Sequence, residues 1–550
     1  METIRFILLI ALGLVLTMIW QAWQEDYGQS PMTEVVMGSQ QAQSPGKEQQ
    51  ADIPDTNISV NEASPISRLQ AENNLPTKGD IVRVKTDVLD VQINTMGATI
   101  QELALTNYPV KKNKTDESVL LLKNNSEEFY LFQSGLLSKQ TSANHKTLYQ
   151  TEQSFYELSG DSLDVAFVWR SDSGIDVIKT FRFNRGSYLV ELKHDVVNQS
   201  GETWSGSAYA QLNRTDPADS GSPFLYTYTG AVISTPETRY EKISFDDIKK
   251  ESLSIEVSNG WVAMLQHYFF SALLPGNTED VYRYYTLNPG DKSYVIGSVT
   301  PSISLAVGEN ASFQQKMFFG PKLQKQLDEI ADGLELTVDY GMLWFIAKPL
   351  YWVLDKIHAY TGNWGWSIIL LTLLIKIAFY RLSAAGYRSM ANMRRVQPRL
   401  VAIKERYEND RARLNQAMMD IYKEEKINPL GGCFPILIQI PVFIALYWVL
   451  LETVELRQSP FMFWINDLST KDPYFVLPLL MGISMFVQQK LNPAPMDPIQ
   501  AKVMSILPIM FTVFFAFFPS GLVLYWVVNN VLSIAQQWMI TRSIEKTKPA

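Results

Sequence analysis

Hydrophobic residues fall along this chain in three different rhythms. Ile4 to Trp23 is a nearly unbroken apolar run, about the length a helix needs to cross a bilayer. From Gln24 to Lys78 the composition shifts to Gln, Ser, Pro and acidic residues with one aromatic, Tyr27. Such a stretch buries too little apolar surface to offset its ordering entropy, and it reads as a tether. From Asp80 the period becomes two: Val82 and Val84, then Leu89, Val91 and Ile93, then Ser162–Trp169, Gly186–Lys193 and Tyr294–Val299, punctuated by turn signals at Gly97 and Gly160. Many short alternating runs predict a large antiparallel sandwich. Leu323–Gly333 carries a short helical pattern. Beyond it Leu343, Ile346, Leu350, Leu354 and Ile357 recur at steps of three, four, four and three, with Lys348, Asp355 and Lys356 between them. That spacing, with Trp344 and Trp352, predicts a helix lying in a membrane interface.

Long apolar runs follow at Trp364–Arg381, Phe434–Leu451, Tyr474–Val487, Val503–Phe518 and Gly521–Ile540. Together with Ile4–Trp23 they predict six transmembrane helices. The expected organisation is an anchor (1–23), a tether (24–79), an all-β domain (80–339), an interfacial helix (340–360), a membrane core (361–542) and a short basic tail (543–550). Leu400, Ile403 and Tyr407 precede a Glu-Asn-Asp turn at 408–410, and Leu414, Met418 and Ile421 follow it. A helical hairpin with one apolar seam is therefore expected within 381–430.

Charge orients this arrangement. Between Tyr380 and Phe434 eleven cations face six acids, net +5, in a chain of net charge −8. The loop from Glu452 to Pro473 carries only Arg457 and Lys471 as cations. The positive-inside rule makes the hairpin and both termini cytoplasmic and puts the β domain across the membrane. A single cysteine excludes an intramolecular disulfide framework. His145, His194, His267 and His358 are scattered without ligand spacing, and no GxxxxGK[ST], HExxH or GxSxG pattern occurs. The reading is of a non-enzyme, with no metal, no cofactor and no nucleic-acid readout. Trp261 could line a sugar cleft in the β domain, but ordinary core packing is the stronger expectation.

Polar residues inside the spans share one depth. Lys376 sits near the inner end of its span, Gln439 near the start of the next, Thr512 near the middle of the fifth. Asn529 and Asn530 lie near the middle of the last, with Gln536 and Gln537 beyond them. The opposite halves carry Phe514, Phe515, Phe517 and Phe518, and Leu522–Trp526. A cation in hydrocarbon costs roughly 2.5–3.5 kcal/mol on insertion scales, so such residues face a bundle interior or water. Snorkelling of Lys376 to the interface is the plainer alternative. The simplest common solution is a hydrated groove open to the cytoplasm and lipid, closed above by aromatics. Tyr474–Val487 and Val503–Phe518, 14 and 16 residues long, would also thin the bilayer at about 21 and 24 Å.

Asn428-Pro-Leu-Gly-Gly-Cys-Phe-Pro-Ile-Leu-Ile-Gln-Ile-Pro441, Phe518-Pro-Ser-Gly-Leu-Val-Leu-Tyr-Trp526, Glu455-Leu-Arg-Gln-Ser-Pro-Phe461 and Gln397-Pro-Arg resemble the YidC membrane protein insertase family of bacterial inner membranes. The resemblance spans Gly341 to about Arg542, and the domain order is that of Gram-negative members. It implies a five-helix insertase core, a periplasmic β-supersandwich of galactose-mutarotase type, and insertion, folding and assembly of inner-membrane proteins with or without the Sec translocon. Implied partners are nascent membrane proteins, Sec components, membrane lipids and the ribosome. It also places a groove cation at Lys376, where the family usually has arginine; lysine keeps the charge without the bidentate fork. The family's functional threonine corresponds to Thr372, and the second aromatic of a Leu-Tyr-Tyr pattern to Trp526. The third and fifth spans, with Cys433, Phe434 and Phe514, are the candidate slide for a substrate's apolar span. A small-molecule or lipid transporter is the alternative, and a cell-envelope enzyme acting on a sugar is a third reading.

Overall fold

The structure, a computed structural model, describes residues 52–54, 79–112, 114–125, 128–216, 227–290, 292–407, 410–425, 434–492 and 498–546. The Ile4–Trp23 anchor, most of the tether and Cys433 lie outside them. The chain divides into two compact units between Val338 and Asp339.

In the first unit nineteen strands among the described residues form two sheets, one of eleven and one of eight. Alternation builds them: Ile81–Lys85 alternates exposed and buried positions, and Ile175–Asn184 and Leu189–Asn198 bury every second residue. Pairing is antiparallel throughout the described strands except where Ile81–Lys85 runs parallel to Phe155–Glu157. The sheets meet through aromatic side chains. Phe132 of the large sheet sits edge-on to Phe181 and Phe319 of the small one, ring centres 6.4 and 5.8 Å apart. Alternation disappears in Gly230–Ser234, Trp261–Leu265 and Phe269–Pro275, whose residues are buried on both faces. Helix α1 (Phe245–Lys250) opens with a capping box between Ser244 and Asp247. Helix α2 (Gln324–Ile330) and the following 3-10 turn, Leu334–Thr337, lead to the end of the unit. Trp261 belongs to the core, with its indole N–H donating to the Asp332 carbonyl at 2.9 Å.

The second unit is helical. It comprises α3 (Trp344–Thr361), α4 (Trp364–Ala378), α5 (Tyr380–Arg406), α6 (Arg411–Glu424), α7 (Phe434–Glu452), α8 (Val476–Leu491), α9 (Pro498–Phe515) and α10 (Ser520–Lys546). Helix α10 is central, packing against α4, α5, α7 and α8, while α3 lies on α4 and α7. Asn363 caps α4 by accepting from the Trp366 amide. The loop between α7 and α8 is built into the bundle: Asp472 accepts from the Leu477 amide at the start of α8, and Ser520 donates to the Thr470 carbonyl.

Three expected boundaries shift. The Trp364–Arg381 span ends at Ala378, where the chain turns by 69° into α5. Helices α8 and α9 run past the apolar runs that marked them, to 16 and 18 residues, because helical hydrogen bonding continues into polar sequence such as Gln488-Gln-Lys490. At about 24 and 27 Å they remain shorter than a hydrocarbon core of roughly 30 Å, so the mismatch narrows without closing. No single helix among the described residues is long and apolar enough to cross a membrane alone; α4 and α5 reach that standard only together, across their bend.

Alongside its buried apolar core this unit buries several polar side chains and exposes many apolar ones. Helix α4 buries Ser367, Thr372 and Lys376 while Leu370, Leu373, Leu374 and Ile377 are exposed. Helix α9 exposes Val503, Ile506, Ile509, Met510 and Val513, and α8 exposes Leu479, Leu480 and Ile483. Exposed apolar area on this scale marks a surface that meets something other than water. The hairpin α5–α6 follows the opposite rule, closing on Val396, Leu400, Leu414, Met418 and Ile421. Arg395 and Arg399 pair with Glu425 at 2.7 and 2.6 Å across it.

Candidate functional site

The site is built on α10. Asn529, Asn530, Ser533, Gln536 and Gln537 recur at helical spacing, so they form a polar stripe along one side of the helix. Four neighbouring helices each meet part of that stripe.

Lys376 approaches from α4. It is 8% exposed, and its ammonium donates to Ser533 Oγ at 2.7 Å. The Ser533 hydroxyl in turn donates to the Asn529 carbonyl at 2.7 Å, one turn back on α10. Gln439 arrives from α7 and donates through Nε2 to Asn529 Oδ1, also at 2.7 Å. Lys376, Ser533, Asn529 and Gln439 thus form one connected polar chain across three helices. Among the described residues no carboxylate pairs with the Lys376 ammonium, which has three protons to place.

The remaining polar residues occupy flanking positions. Asn530 donates to Ser484 Oγ of α8 at 3.1 Å. Gln537 reaches the end of α8, donating to Asn492 Oδ1 at 3.1 Å, and Gln536 reaches the Tyr380 carbonyl at 3.4 Å, where α4 passes into α5. Thr372 is buried one turn before Lys376, its hydroxyl donating to its own helix at the Ile368 carbonyl. Thr512 stands apart from the chain: its hydroxyl donates to the Pro508 carbonyl, and it packs on Gly482 of α8. A Cβ at position 482 would lie 2.0 Å from Thr512 Oγ1, so only glycine lets α8 and α9 approach this closely.

Aromatic side chains close one end. Trp526 packs against Phe443, Phe515 and Tyr525 with ring centres 4.6, 5.5 and 6.5 Å away. Phe514 is 39% exposed beside Phe515 and Phe518. Cys433 and the Phe434 side chain lie outside what the structure describes. Trp526 Nε1, Gln536 Oε1 and Gln537 Oε1 are buried without a partner among the described residues. A buried donor or acceptor left unsatisfied costs about 1–3 kcal/mol, so this interior is suited to water or a polar guest.

Ser533 and Ser484 were not among the residues that the apolar pattern marked. Serine is small enough to pass within a span without breaking its apolar rhythm. The signal available was periodic: Ser533 stands four residues after Asn529 and three before Gln536, on the stripe itself.

Comparison with known proteins gives the arrangement its family. Residues 81–353 match the YidC periplasmic domain, and residues 356–547 match the 60Kd inner membrane protein family. The membrane protein insertase YidC of Methylococcus capsulatus is 48% identical over 99% of this chain and 99% of its own length. This chain belongs to the YidC membrane protein insertase family. The YidC of Nitrosococcus oceani is also 48% identical, over 99% of this chain and all of its own, and that of Pseudomonas fluorescens is 47% identical over 99% of each. A crystal structure of an active YidC insertase covers 84% of this chain and 94% of its own, with TM-score 0.37 and 17% identity. The YidC periplasmic domain is here all-β and built of two sheets, with the helical unit on its carboxyl-terminal side.

Proposed function

We propose that the chain inserts membrane proteins by lending the polar stripe of α10 to a substrate's hydrophilic tail while the substrate's apolar span moves into lipid. The observation that carries this is the Lys376–Ser533–Asn529–Gln439 chain: a buried cation held by a hydroxyl, with no carboxylate partner among the described residues. A charge so placed is poised to accept its counter-charge from a passing acidic side chain. Around it the helices expose Leu370, Leu373, Leu374, Ile506, Ile509 and Val513. These surfaces offer a hydrophobic span a continuous apolar environment, and burial of that span in lipid supplies the driving force. Phe514, with Cys433 and Phe434 at the start of α7, is the proposed exit edge.

In this reading the six-span topology holds and the groove opens to the cytoplasm. The basic hairpin α5–α6 and both termini lie on the cytoplasmic side, and the β unit lies in the periplasm. An acidic segment moving to a positive exterior gains roughly 2.3 kcal/mol per charge per 100 mV, so no nucleotide is required. The Sec components, and the ribosome against the basic hairpin, are proposed partners. Helix α3, with Trp344, Phe345 and Trp352 exposed, is proposed to lie along the interface.

Site-specific photocrosslinking to a stalled nascent chain tests this directly. A crosslinker at Gln439 or Asn529 should capture the polar tail of the substrate. One at Ile509, on the exposed face of α9, should capture its apolar span. Capture of the apolar span from Gln439 and Asn529, with no contact to the tail, would overturn the assignment.

A further inference from the structure

Between residues 1 and 78 the described residues are Asp52, Ile53 and Pro54, and each has a defined seat on the β unit. That seat is the face of the large sheet turned away from the small one. Along Trp204–Thr215, Ala210 and Leu212 pair with Ser134 and Phe132, and Phe132 packs into the small sheet. Successive side chains alternate across a sheet, so Tyr209 and Gln211, with Gln133, Tyr285 and Val295 in register on neighbouring strands, present the opposite face.

The face is shaped for three consecutive features of a short, turned peptide segment. Lys146 Nζ meets Asp52 Oδ1 at 2.6 Å, and His145 Nε2 meets Asp52 Oδ2 at 3.0 Å, so the side-chain carboxylate is held by two residues. Gln211 Nε2 donates to the Asp52 main-chain carbonyl at 2.9 Å. Ile53 packs on the cluster of Leu137, Tyr209, Tyr285, Val295 and Val299, and Pro54 is buried.

The receptor groups are also held by one another. Tyr285 donates to Gln211 Oε1 at 2.7 Å, Gln211 donates to Gln133 Oε1 at 2.9 Å, and His145 Nδ1 meets the Tyr209 hydroxyl at 2.6 Å. Gly297 makes room for this: a Cβ there would stand 2.5 Å from the Tyr285 ring. Groups fixed before the guest arrives lose less freedom on binding, and proline brings a guest whose φ is already set.

We propose that this outer face is a peptide-binding site, occupied in the resting chain by Asp52-Ile53-Pro54 of its own tether. Its selectivity is for a carboxylate side chain, then a branched aliphatic, then proline, in the turned conformation that Asp52 and Ile53 adopt.

The test uses the full-length chain in lipid nanodiscs and a fluorescent peptide copying residues 48–58. Ile53→Asp in the chain empties the seat without touching the sheet. By anisotropy, the Ile53→Asp chain should bind the peptide saturably and at least ten-fold more tightly than wild type, whose own segment competes at high effective concentration. Peptides carrying Asp52→Asn or Ile53→Asp should bind weakly to both. Adding His145→Ala to the emptied chain should abolish binding, with circular dichroism showing the sheets intact. Asp52→Ala provides a second way of emptying the seat and should behave like Ile53→Asp. Absence of saturable binding to both emptied chains, equal binding by wild type, or indifference to the peptide substitutions would overturn the proposal.

Discussion

Charge at position 376 should set which substrates are favoured, and the geometry allows the effect to be sized. An acidic side chain brought to about 6 Å from the ammonium gains roughly 3 kcal/mol at an effective dielectric of about 20. That corresponds to about a hundred-fold in equilibrium occupancy of the groove. Lys376→Met removes this attraction together with the Lys376–Ser533 bond, while the Ser533–Asn529 bond within α10 stays in place. Lys376→Glu reverses the sign and should disfavour an acidic tail by a comparable further factor. Lys376→Arg should retain the preference. The assay is insertion into proteoliposomes of two substrates differing only in a tail Asp or Asn, read by protease protection as a ratio. A ratio cancels any general loss of folded protein. The expectation is a fall in the Asp/Asn ratio of ten- to a hundred-fold for Lys376→Met and its inversion for Lys376→Glu. An unchanged ratio in Lys376→Glu would refute the groove-cation role and leave the lysine as packing.

Three further outcomes are expected. Gly482→Ala should destabilise the bundle by about 1–3 kcal/mol through overpacking, and Thr512→Ala in that background should recover most of it, since the clash is with Thr512 Oγ1; thermal unfolding in detergent with no recovery would contradict the contact. In the hairpin, Leu414→Ala should cost about 2–5 kcal/mol and accelerate proteolysis between α5 and α6, because Leu414 belongs to the seam joining them. The β unit should be acid-sensitive. His194 is buried with neither ring nitrogen partnered among the described residues, and burial, then the charge of Lys179, holds its pKa well below the usual value. Lys179, whose amine donates to the Gly97 and Ser134 carbonyls, is likewise held well below its ordinary value by burial. Both groups bind protons more readily unfolded than folded, so stability rises with pH. The histidine contribution climbs up to about pH 6.5 and the lysine contribution up to about pH 10.4, each by at most about 1.4 kcal/mol per pH unit. Denaturant melts from pH 5 to 8 should show the rise, and His194→Gln should flatten its acidic part; an unchanged slope would exclude His194 as its source.

Much of the architecture was legible because each environment imposes its own period. Ile175–Asn184 alternates because one side of a strand meets the core and the other does not. Leu400, Leu414, Met418 and Ile421 repeat at helical spacing because one face of each hairpin helix meets the other. Periodicity fails where burial is two-sided, as in Phe269–Pro275, whose seven residues are all buried. Helix ends were also hidden, since hydrogen bonding carries α8 to Leu491 after the apolar residues stop. In the candidate site, Lys376, Gln439 and Asn529 stood out because a polar residue in an apolar run is costly unless partnered. Thr512 stood out for the same reason, yet its hydroxyl is satisfied within α9.

The sequence by itself determined that one stretch of this protein would alternate as strands, that another would be apolar enough for lipid, and that a few polar groups in the latter would need partners. Those are properties of single segments meeting a solvent. Which partners they find was decided only by tertiary structure. Lys376 and Ser533 are separated by 157 positions, Gln439 and Asn529 by 90, and Asp52 and Gln211 by 159. Contacts at such separations depend on how helices and sheets pack, and side-chain rhythm along one segment does not encode the rotation of its neighbour.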